Sequence, residues 1–279
     1  IQKKSMKKRM SEFITHRFLS IIEKIGNSTI NFVEGTGYYF ALLVESVVWI
    51  IVGPFYKQPV RIPSVFNQMM TIGIAACPII FILSFSIGVM LAIQMIYNLK
   101  TFGAESQVVV GVALSVTREF APLITGILIA GRTGSALAAK LGTMQVNQEI
   151  DALRVMGINP IRYLVSPALL AMLIMVPTLT FFADIAGLLG GALYTGVEIG
   201  LSFSAYIDRT VAVLMVGDVM QGLFKSLIFA LIITLVGTSN GFSVTGGAEG
   251  VGKATTRSVV LSISFIVIAD MIFTYFLNR

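Results

Sequence analysis

Hydrophobic residues dominate five long stretches of the chain, and each stretch is long enough for a membrane-spanning helix. A helix needs about 20 mostly apolar residues to cross a hydrocarbon core of about 30 Å. The pattern predicts an all-α integral membrane protein with five transmembrane helices. The predicted spans are Met69–Tyr97, Gln107–Ala138, Leu164–Val197, Val211–Val236 and Ser258–Leu277.

A sixth apolar stretch, "YYFALLVESVVWIIVGPF" (Tyr38–Phe55), is shorter than the others. It carries Glu45 and ends at Gly53 and Pro54. The hydrophobic pattern alone leaves two structures open, because such a segment either crosses the bilayer or lies in its interface.

The distribution of basic residues favours the interfacial structure. Lys and Arg are retained on the cytoplasmic side of a membrane. With five spans the outer side holds only Lys100, Arg209 and Arg279, whereas a sixth span would move several basic loops outside. We therefore expect a cytoplasmic N-terminus and an outer C-terminus. The residues then on the inner side are Lys3, Lys4, Lys7, Lys8, Arg9, Arg17, Lys24, Lys57, Arg61, Lys140, Arg154, Arg162, Lys253 and Arg257.

These observations predict three regions: a basic N-terminal segment at 1–27, an interfacial helix at 28–63 and a five-span domain at 64–279. Basic residues of the first region are interleaved with apolar ones such as Phe13, Phe18 and Ile22, which is typical of an amphipathic helix on an anionic leaflet. A solvated topology signal fits the same pattern. Nucleic-acid binding is disfavoured, because no recognition motif accompanies the charge.

Composition agrees with a membrane protein and excludes several kinds of site. Of the 279 residues 56% are hydrophobic and 12% are charged, and the mean hydropathy is +0.87. One cysteine, Cys77, and one histidine, His16, exclude a disulfide framework and a Cys/His metal site. No His, Cys or acidic cluster has catalytic spacing, so an intramembrane lipid enzyme is disfavoured and no catalytic residue is predicted.

Small residues recur at every fourth position of the second predicted span. Such a stripe lets two helices approach closely in lipid, where apolar burial does not drive association. It predicts helix packing, either within one subunit or along a dimer seam. The stripe consists of Gly126, Ala130, Gly134, Ala138 and Gly142.

The loop "TSNGFSVTGGAEGVGKATTRS" nearly has the spacing of a phosphate-binding Walker A loop, with Gly247, Gly252 and Lys253 in place. The next residue is Ala254, which lacks the hydroxyl that would hold Mg²⁺. We therefore expect a cytoplasmic turn, and no ATP or magnesium site in this chain.

The segment "GTMQVNQEIDALRVMGINPIRYLVSP" predicts a short cytoplasmic helix near 145–158. Ile150, Leu153 and Met156 recur at helical spacing, and Gly157 with Pro160 ends the helix. A helix in this place can transmit the motion of a partner into the membrane, and an ordinary interfacial connector fits the pattern equally.

Charged residues also occur inside the predicted spans. A charge near the bilayer centre costs about 2.5–3.5 kcal/mol, so these side chains are expected to face protein, water or a ligand. The neighbours Arg118 and Glu119 point about 100° apart on a helix and need not pair with each other. The full set is Arg118, Glu119, Arg132, Asp184, Asp218, Lys225 and Asp270.

Four motifs in this order, "REFAPLITGILIAGRTGSALAAKLGTM", "EIDALRVMGINPIRYLVSP", "FKSLIFA" and "GVGKATTRSVV", resemble the MlaE-like permeases. These are the membrane subunits of ABC transporters that work with MCE proteins. The resemblance covers roughly residue 63 to the C-terminus. It implies a homodimer in a bacterial inner membrane, a separate cytoplasmic ATPase that carries ATP and Mg²⁺, and an MCE-domain partner that passes phospholipid between membranes.

The resemblance also implies roles for particular residues. Arg118, Glu119 and Lys225 match polar positions that line the lipid cavity, where cations suit a phosphate and Glu119 suits a head-group amine or Arg118 itself. A structural ion pair between helices remains the alternative. Asp151, Ala152 and Gly157 fit the outline of the EAA-x-x-x-G coupling loop of ABC importers. The implied coupling residues are Glu149, Asp151, Ala152, Leu153, Met156 and Gly157.

A rival function is an ion-coupled secondary transporter. In that case Glu119, Asp184 or Asp218 would carry protons through the membrane, and no ATPase would be needed.

Overall fold

The computed structural model of the protein describes residues 34–35, 37–53, 55 and 60–277, and these form helices and short connections with no strand among them. The all-α fold expected from the sequence is therefore confirmed. Two units are distinguished, Ile1–Val44 and Glu45–Arg279. The predicted amphipathic segment 1–27 lies outside the described residues.

The helices follow one another with short connections. Two of them contain π-helical turns, in which the backbone bonds reach five residues back instead of four. These turns lie at Val116–Phe120, Ala130–Gly134 and Ile161–Val165. The helices are α1 (Gly37–Ile51), α2 (Ile62–Lys100), α3 (Glu105–Val146), α4 (Glu149–Val155), α5 (Ile161–Ile199), α6 (Phe203–Val213), α7 (Val216–Phe242) and α8 (Gly247–Leu277).

Five of the described helices, α2, α3, α5, α7 and α8, are long and apolar enough to cross a membrane. The five predicted spans are therefore confirmed. The shortest, α7, has 27 residues, and at 1.5 Å per residue it exceeds the hydrocarbon thickness of about 30 Å. α1 is also apolar but is shorter than these five helices, and its predicted place in the membrane interface stays a prediction.

The fourth span begins later than the sequence pattern predicts. The apolar run starts at Val211, but α6 ends at Val213 and α7 begins at Val216. Asp218 explains the break, because its Oδ2 accepts a hydrogen bond of 2.8 Å from the Met215 backbone and so caps the new helix. α6 is a separate helix that hydrophobicity alone does not reveal.

Glu45 of α1 has a polar partner at the start of α5. The Asn159 side-chain amide donates to Glu45 Oε1 over 2.8 Å, and Asn159 Oδ1 accepts from the Ile161 backbone at 2.8 Å. Close by, the Arg162 guanidinium lies 5.3 Å from the centre of the Trp49 ring. One asparagine thus caps α5 and satisfies the acidic residue of an otherwise apolar helix.

Small residues allow the spans to pack closely. A Cβ on Gly88 of α2 would overlap the Gly187 backbone of α5, so only glycine fits at this contact. The stripe of α3 packs against α7 of the same chain: a Cβ on Gly126 would lie 2.9 Å from the Phe229 ring, and one on Gly134 would lie 3.0 Å from Ile233. Its other members, Ala130, Ala138 and Gly142, are buried as well.

Candidate functional site

Arg118 of α3 pairs with Asp218 of α7. Its Nη2 lies 2.6 Å from Asp218 Oδ1, and its Nε donates to the same oxygen over 2.9 Å. The second carboxylate oxygen of Asp218 caps α7, so the partner of Arg118 is held in place by the first turn of that helix.

Glu119, the next residue, pairs with a different side chain of α7. Lys225 Nζ lies 2.6 Å from Glu119 Oε2, 2.9 Å from Thr274 Oγ1 and 3.1 Å from Asp270 Oδ1. The Thr274 hydroxyl also lies 3.0 Å from Glu119 Oε2. Three spans, α3, α7 and α8, therefore meet at one ammonium group.

The backbone of α3 explains why the two neighbours find separate partners. Both belong to the π-helical turn Val116–Phe120, in which the Ala121 amide bonds to the Val116 carbonyl five residues back. Pro122 follows and has no amide hydrogen to donate. The opposing residue of α7 is Gly222, where a Cβ would collide with the Thr117 carbonyl oxygen. α7 therefore lies directly against this turn, between the two ion pairs.

We call Arg118, Glu119, Asp218, Lys225, Asp270 and Thr274 the charge cluster. Its members differ in accessibility. The Arg118 and Glu119 side chains are 34% and 28% exposed, whereas Lys225 has no exposed surface. An ammonium has three donors, and Lys225 has three oxygen neighbours inside the protein. In this conformation a ligand can reach the cluster at Arg118 and Glu119.

Arg118, Glu119 and Lys225, the candidate lipid-contact residues, lie together in the structure. The structure also adds residues to them. The sequence predicts Asp218 as an intramembrane charge and a candidate proton carrier, and Asp270 as an intramembrane charge, but it does not single out Thr274. Helical spacing gave a signal for the last of these, because Thr274 lies four residues after Asp270 on α8 and so shares its face.

Two other intramembrane charges lie apart from the charge cluster. Arg132 is exposed within the π-helical turn Ala130–Gly134. Asp184 of α5 is 5% exposed, and neither of its carboxylate oxygens has a hydrogen-bond partner among the described residues. Nor do the described residues hold any group of three or more His, Cys, Asp or Glu side chains that could bind a metal ion.

Most of the segment with Walker-like spacing forms the start of a helix rather than a loop. Gly252 and Lys253 belong to α8, and Lys253 Nζ pairs with Glu249 Oε1 one turn earlier, at 2.7 Å. Beyond the first turn of a helix the backbone amides bond within the helix, so the amides of Gly252 and Lys253 are not free to contact a phosphate as those of a Walker A loop are.

The short helix predicted between the second and third spans is α4. Ile150 and Leu153 are buried, as their spacing indicates, whereas Asp151 pairs with Arg154 at the surface over 3.1 Å. Met156 departs from the prediction: it is exposed, because the helix ends at Val155. Gly157 takes a positive φ of 74° directly after the helix.

Comparison with known proteins gives consistent similarities. The family described as Permease MlaE matches residues 65–276. The chain is 34% identical over 261 residues to a probable ABC transporter permease protein of Rickettsia typhi, which covers 94% of this chain and 99% of the relative. It is 30% identical over 262 residues to the intermembrane phospholipid transport system permease protein MlaE of Haemophilus influenzae, covering 92% and 97%.

A plant protein shares part of this similarity. The chloroplastic protein TRIGALACTOSYLDIACYLGLYCEROL 1 of Arabidopsis thaliana is 34% identical over 220 residues, which covers 79% of this chain and 63% of that protein. The similarity to the two bacterial proteins, in contrast, extends over nearly the full length of both partners.

Proposed function

The chain belongs to the MlaE permease family, and from this premise we propose that it is the membrane subunit of an ATP-driven ABC transporter for phospholipids or related lipids. The observation that carries the proposal is the full-length similarity to a relative named as the permease of an intermembrane phospholipid transport system. As a permease, the chain is a transport subunit and not an enzyme. ATP is hydrolysed by a separate partner chain.

The charge cluster is the proposed contact for the lipid head group. Arg118 supplies a planar, permanently charged donor group that suits a phosphate, and a third of its side chain is accessible. Glu119 suits the amine of a zwitterionic head group. Lys225 takes part by holding Glu119 and Asp270, so its direct contact with lipid requires these pairs to rearrange.

α4 is the proposed coupling helix for the ATPase. The exposed acidic residues Glu149 and Asp151 lie in its first turn, and the exposed apolar residues Val155 and Met156 lie at its last position and directly after it. An exposed apolar tip with charged neighbours is typical of a surface that a partner covers. α4 directly connects α3 to α5, so movement of a bound ATPase would be transmitted to both spans.

The remaining partners and the location follow from family membership. We propose a homodimer in the bacterial inner membrane, with an MCE-domain protein on the periplasmic side to carry lipid between the inner and outer membranes. The N-terminus would be cytoplasmic and the C-terminus periplasmic. The described basic residues support this orientation, because Arg61, Lys140, Arg154, Lys253 and Arg257 all lie at the end of the bundle that carries α4.

Gentle solubilisation followed by reconstitution tests the proposal. The chain should copurify with an ATPase and an MCE-domain protein, and the complex should move phospholipid between vesicle populations only when ATP is supplied. Transport driven by a proton gradient without ATP would instead establish the ion-coupled secondary transporter.

Lipid binding at the charge cluster is tested on the same preparation. Arg118→Ala removes a charge-assisted contact and should lower copurified phospholipid about tenfold, measured by mass spectrometry. Arg132→Ala is the matched control, because Arg132 is an exposed arginine of the same helix outside the charge cluster. An equal loss in both variants would refute the assignment.

A further inference from the structure

A second polar site lies at the end of the bundle where α2 begins and α3 ends. It is a cavity of about 330 Å³ between α2, α3 and α5, and none of its lining residues belongs to the charge cluster. Two cations, Arg61 and Lys140, border it. No acidic side chain of the described residues lines the cavity, so its charge is positive.

The first cation is fixed in position by an aromatic residue of another helix. Arg61 Nη1 donates to the Tyr163 hydroxyl over 3.0 Å, and its guanidinium carbon lies 5.1 Å from the centre of the Tyr163 ring. One such contact occupies only part of a guanidinium group, which has five donors. Within the described ranges neither Arg61 nor Lys140 forms an ion pair, so an anion can bind both without displacing a carboxylate.

The cationic groups of the cavity lie near its outer end. Arg61 precedes α2, Lys140 is in the last two turns of α3, and Tyr163 is in the first turn of α5, so the most polar groups lie at the outermost level. Apart from Thr133, the remaining lining residues of α3 and α5 are apolar. These are Ala136, Leu137, Leu141, Leu164, Ala168 and Met172.

Neutral hydrogen-bonding groups line the cavity along the first three turns of α2. Ser64, Asn67, Gln68 and Thr71 all line the cavity. α2 has 39 residues, far more than the about 20 needed for the hydrocarbon core, so its first turns can lie at head-group depth. The cavity therefore offers cations near its outer end, hydrogen-bonding groups along α2 and mainly apolar side chains along α3 and α5, and these groups suit the phosphate, the glycerol region and the acyl chains of a phospholipid.

We propose that this cavity binds the anionic head group of a phospholipid from the adjacent leaflet. Arg61 and Lys140 bind the phosphate, and the start of the acyl chains contacts the apolar side chains of α3 and α5. Paired cations beside a hydrogen-bonding surface at the membrane interface favour anionic over zwitterionic lipid. The proposal goes beyond the transport function, because it needs neither ATP hydrolysis nor the charge cluster. A free phosphate shares the head-group chemistry, and the experiment separates the two.

The test uses the full chain in phosphatidylcholine nanodiscs titrated with phosphatidylglycerol, and native mass spectrometry counts the bound anionic lipid. Arg61→Gln and Lys140→Gln should each weaken phosphatidylglycerol binding about tenfold, because each loses a charge-assisted contact. Ala136→Phe fills the cavity from an exposed position without changing charge, and it should weaken binding comparably. Lys140→Arg should retain binding.

Lys253→Gln is the matched control, since Lys253 is an exposed cation at the same end of the bundle that does not line this cavity. Its affinity for phosphatidylglycerol should be unchanged. Unaltered binding in Arg61→Gln and Lys140→Gln, or an equal loss in Lys253→Gln, would overturn the proposal. Displacement of phosphatidylglycerol by millimolar inorganic phosphate would also overturn it, by assigning the site to a free anion. Melting temperatures of all variants distinguish lost binding from unfolding.

Discussion

Lys225 Nζ lies 2.6 Å from Glu119 Oε2, and the Lys225 side chain has no exposed surface. The pair joins the middle of α7 to the π-helical turn of α3, and Asp270 of α8 completes it at 3.1 Å. A buried ion pair of this kind contributes little net stability when intact and is costly to break, because the remaining charge is left without a partner. The charge cluster therefore connects three spans, α3, α7 and α8, and is also a candidate lipid contact.

Lys225→Met is expected to destabilise the protein by about 3–5 kcal/mol, because Glu119 and Asp270 lose the buried cation that they share. Addition of Glu119→Gln and Asp270→Asn should recover most of the loss. Melting temperature in detergent is the measurement. A single Lys225→Met variant as stable as the parent would contradict the bracing role.

Gly222→Ala is expected to push α7 away from α3, because the new methyl group collides with the Thr117 carbonyl oxygen and neither backbone can yield cheaply. The expected loss of stability is about 1–3 kcal/mol, together with reduced lipid occupancy at Arg118. Gly217→Ala is the control in the same helix, since a Cβ there meets nothing within 4 Å. Equal melting temperatures for the two variants would argue against the close approach.

Val155→Ser combined with Met156→Ser is expected to weaken ATPase binding while leaving the melting temperature unchanged, because both side chains are exposed.

Glu149→Lys with Asp151→Lys should uncouple transport from ATP hydrolysis, because it reverses the charge on the first turn of α4. Ile150→Ser, in contrast, should unfold α4, since Ile150 is fully buried. ATPase copurification and ATP-dependent transport are the readouts. Phe102→Ser, an exposed apolar change elsewhere, should affect neither.

Asp184→Asn is expected to leave ATP-driven lipid transport intact and the protein at least as stable. Asp184 is 5% exposed without a hydrogen-bond partner among the described residues, so the variant removes the cost of burying a carboxylate. Transport rates with and without a proton gradient test this. Loss of transport in Asp184→Asn would favour the proton-carrying alternative.

Membrane orientation is tested by cysteine labelling. Single cysteines at Gln145 and Ser243 should react with an impermeant reagent only from the cytoplasm, and one at Ser204 only from outside, with Cys77 replaced in the background. These positions lie near the ends of α3 and α7 and at the start of α6. Labelling of Ser204 from the cytoplasm would reverse the proposed topology.

The spans were predictable because the length of an apolar run is a local property of the sequence. The partners in the charge cluster were not, since Arg118 and Asp218 are 100 positions apart and Glu119 and Lys225 are 106 apart. The same limit applies to the start of α7. Hydrophobicity continues through Leu214 and Met215, and only the capping contact of Asp218 ends one helix and begins the next.

The π-helical turn Val116–Phe120 lies between two surfaces of α3 that must each face a particular neighbour. On one side is Val112, which lies against α5 near Gly191, and on the other is Gly126, which lies against Phe229 of α7. Deleting one residue from the turn would restore ordinary helical bonding and rotate one surface relative to the other by about 100°. The extra residue thus sets how far the surface near Gly126 is rotated about the helix axis relative to the surface near Val112. With one residue fewer in this turn, α3 could keep its contact with α5 or its contact with α7, and not both.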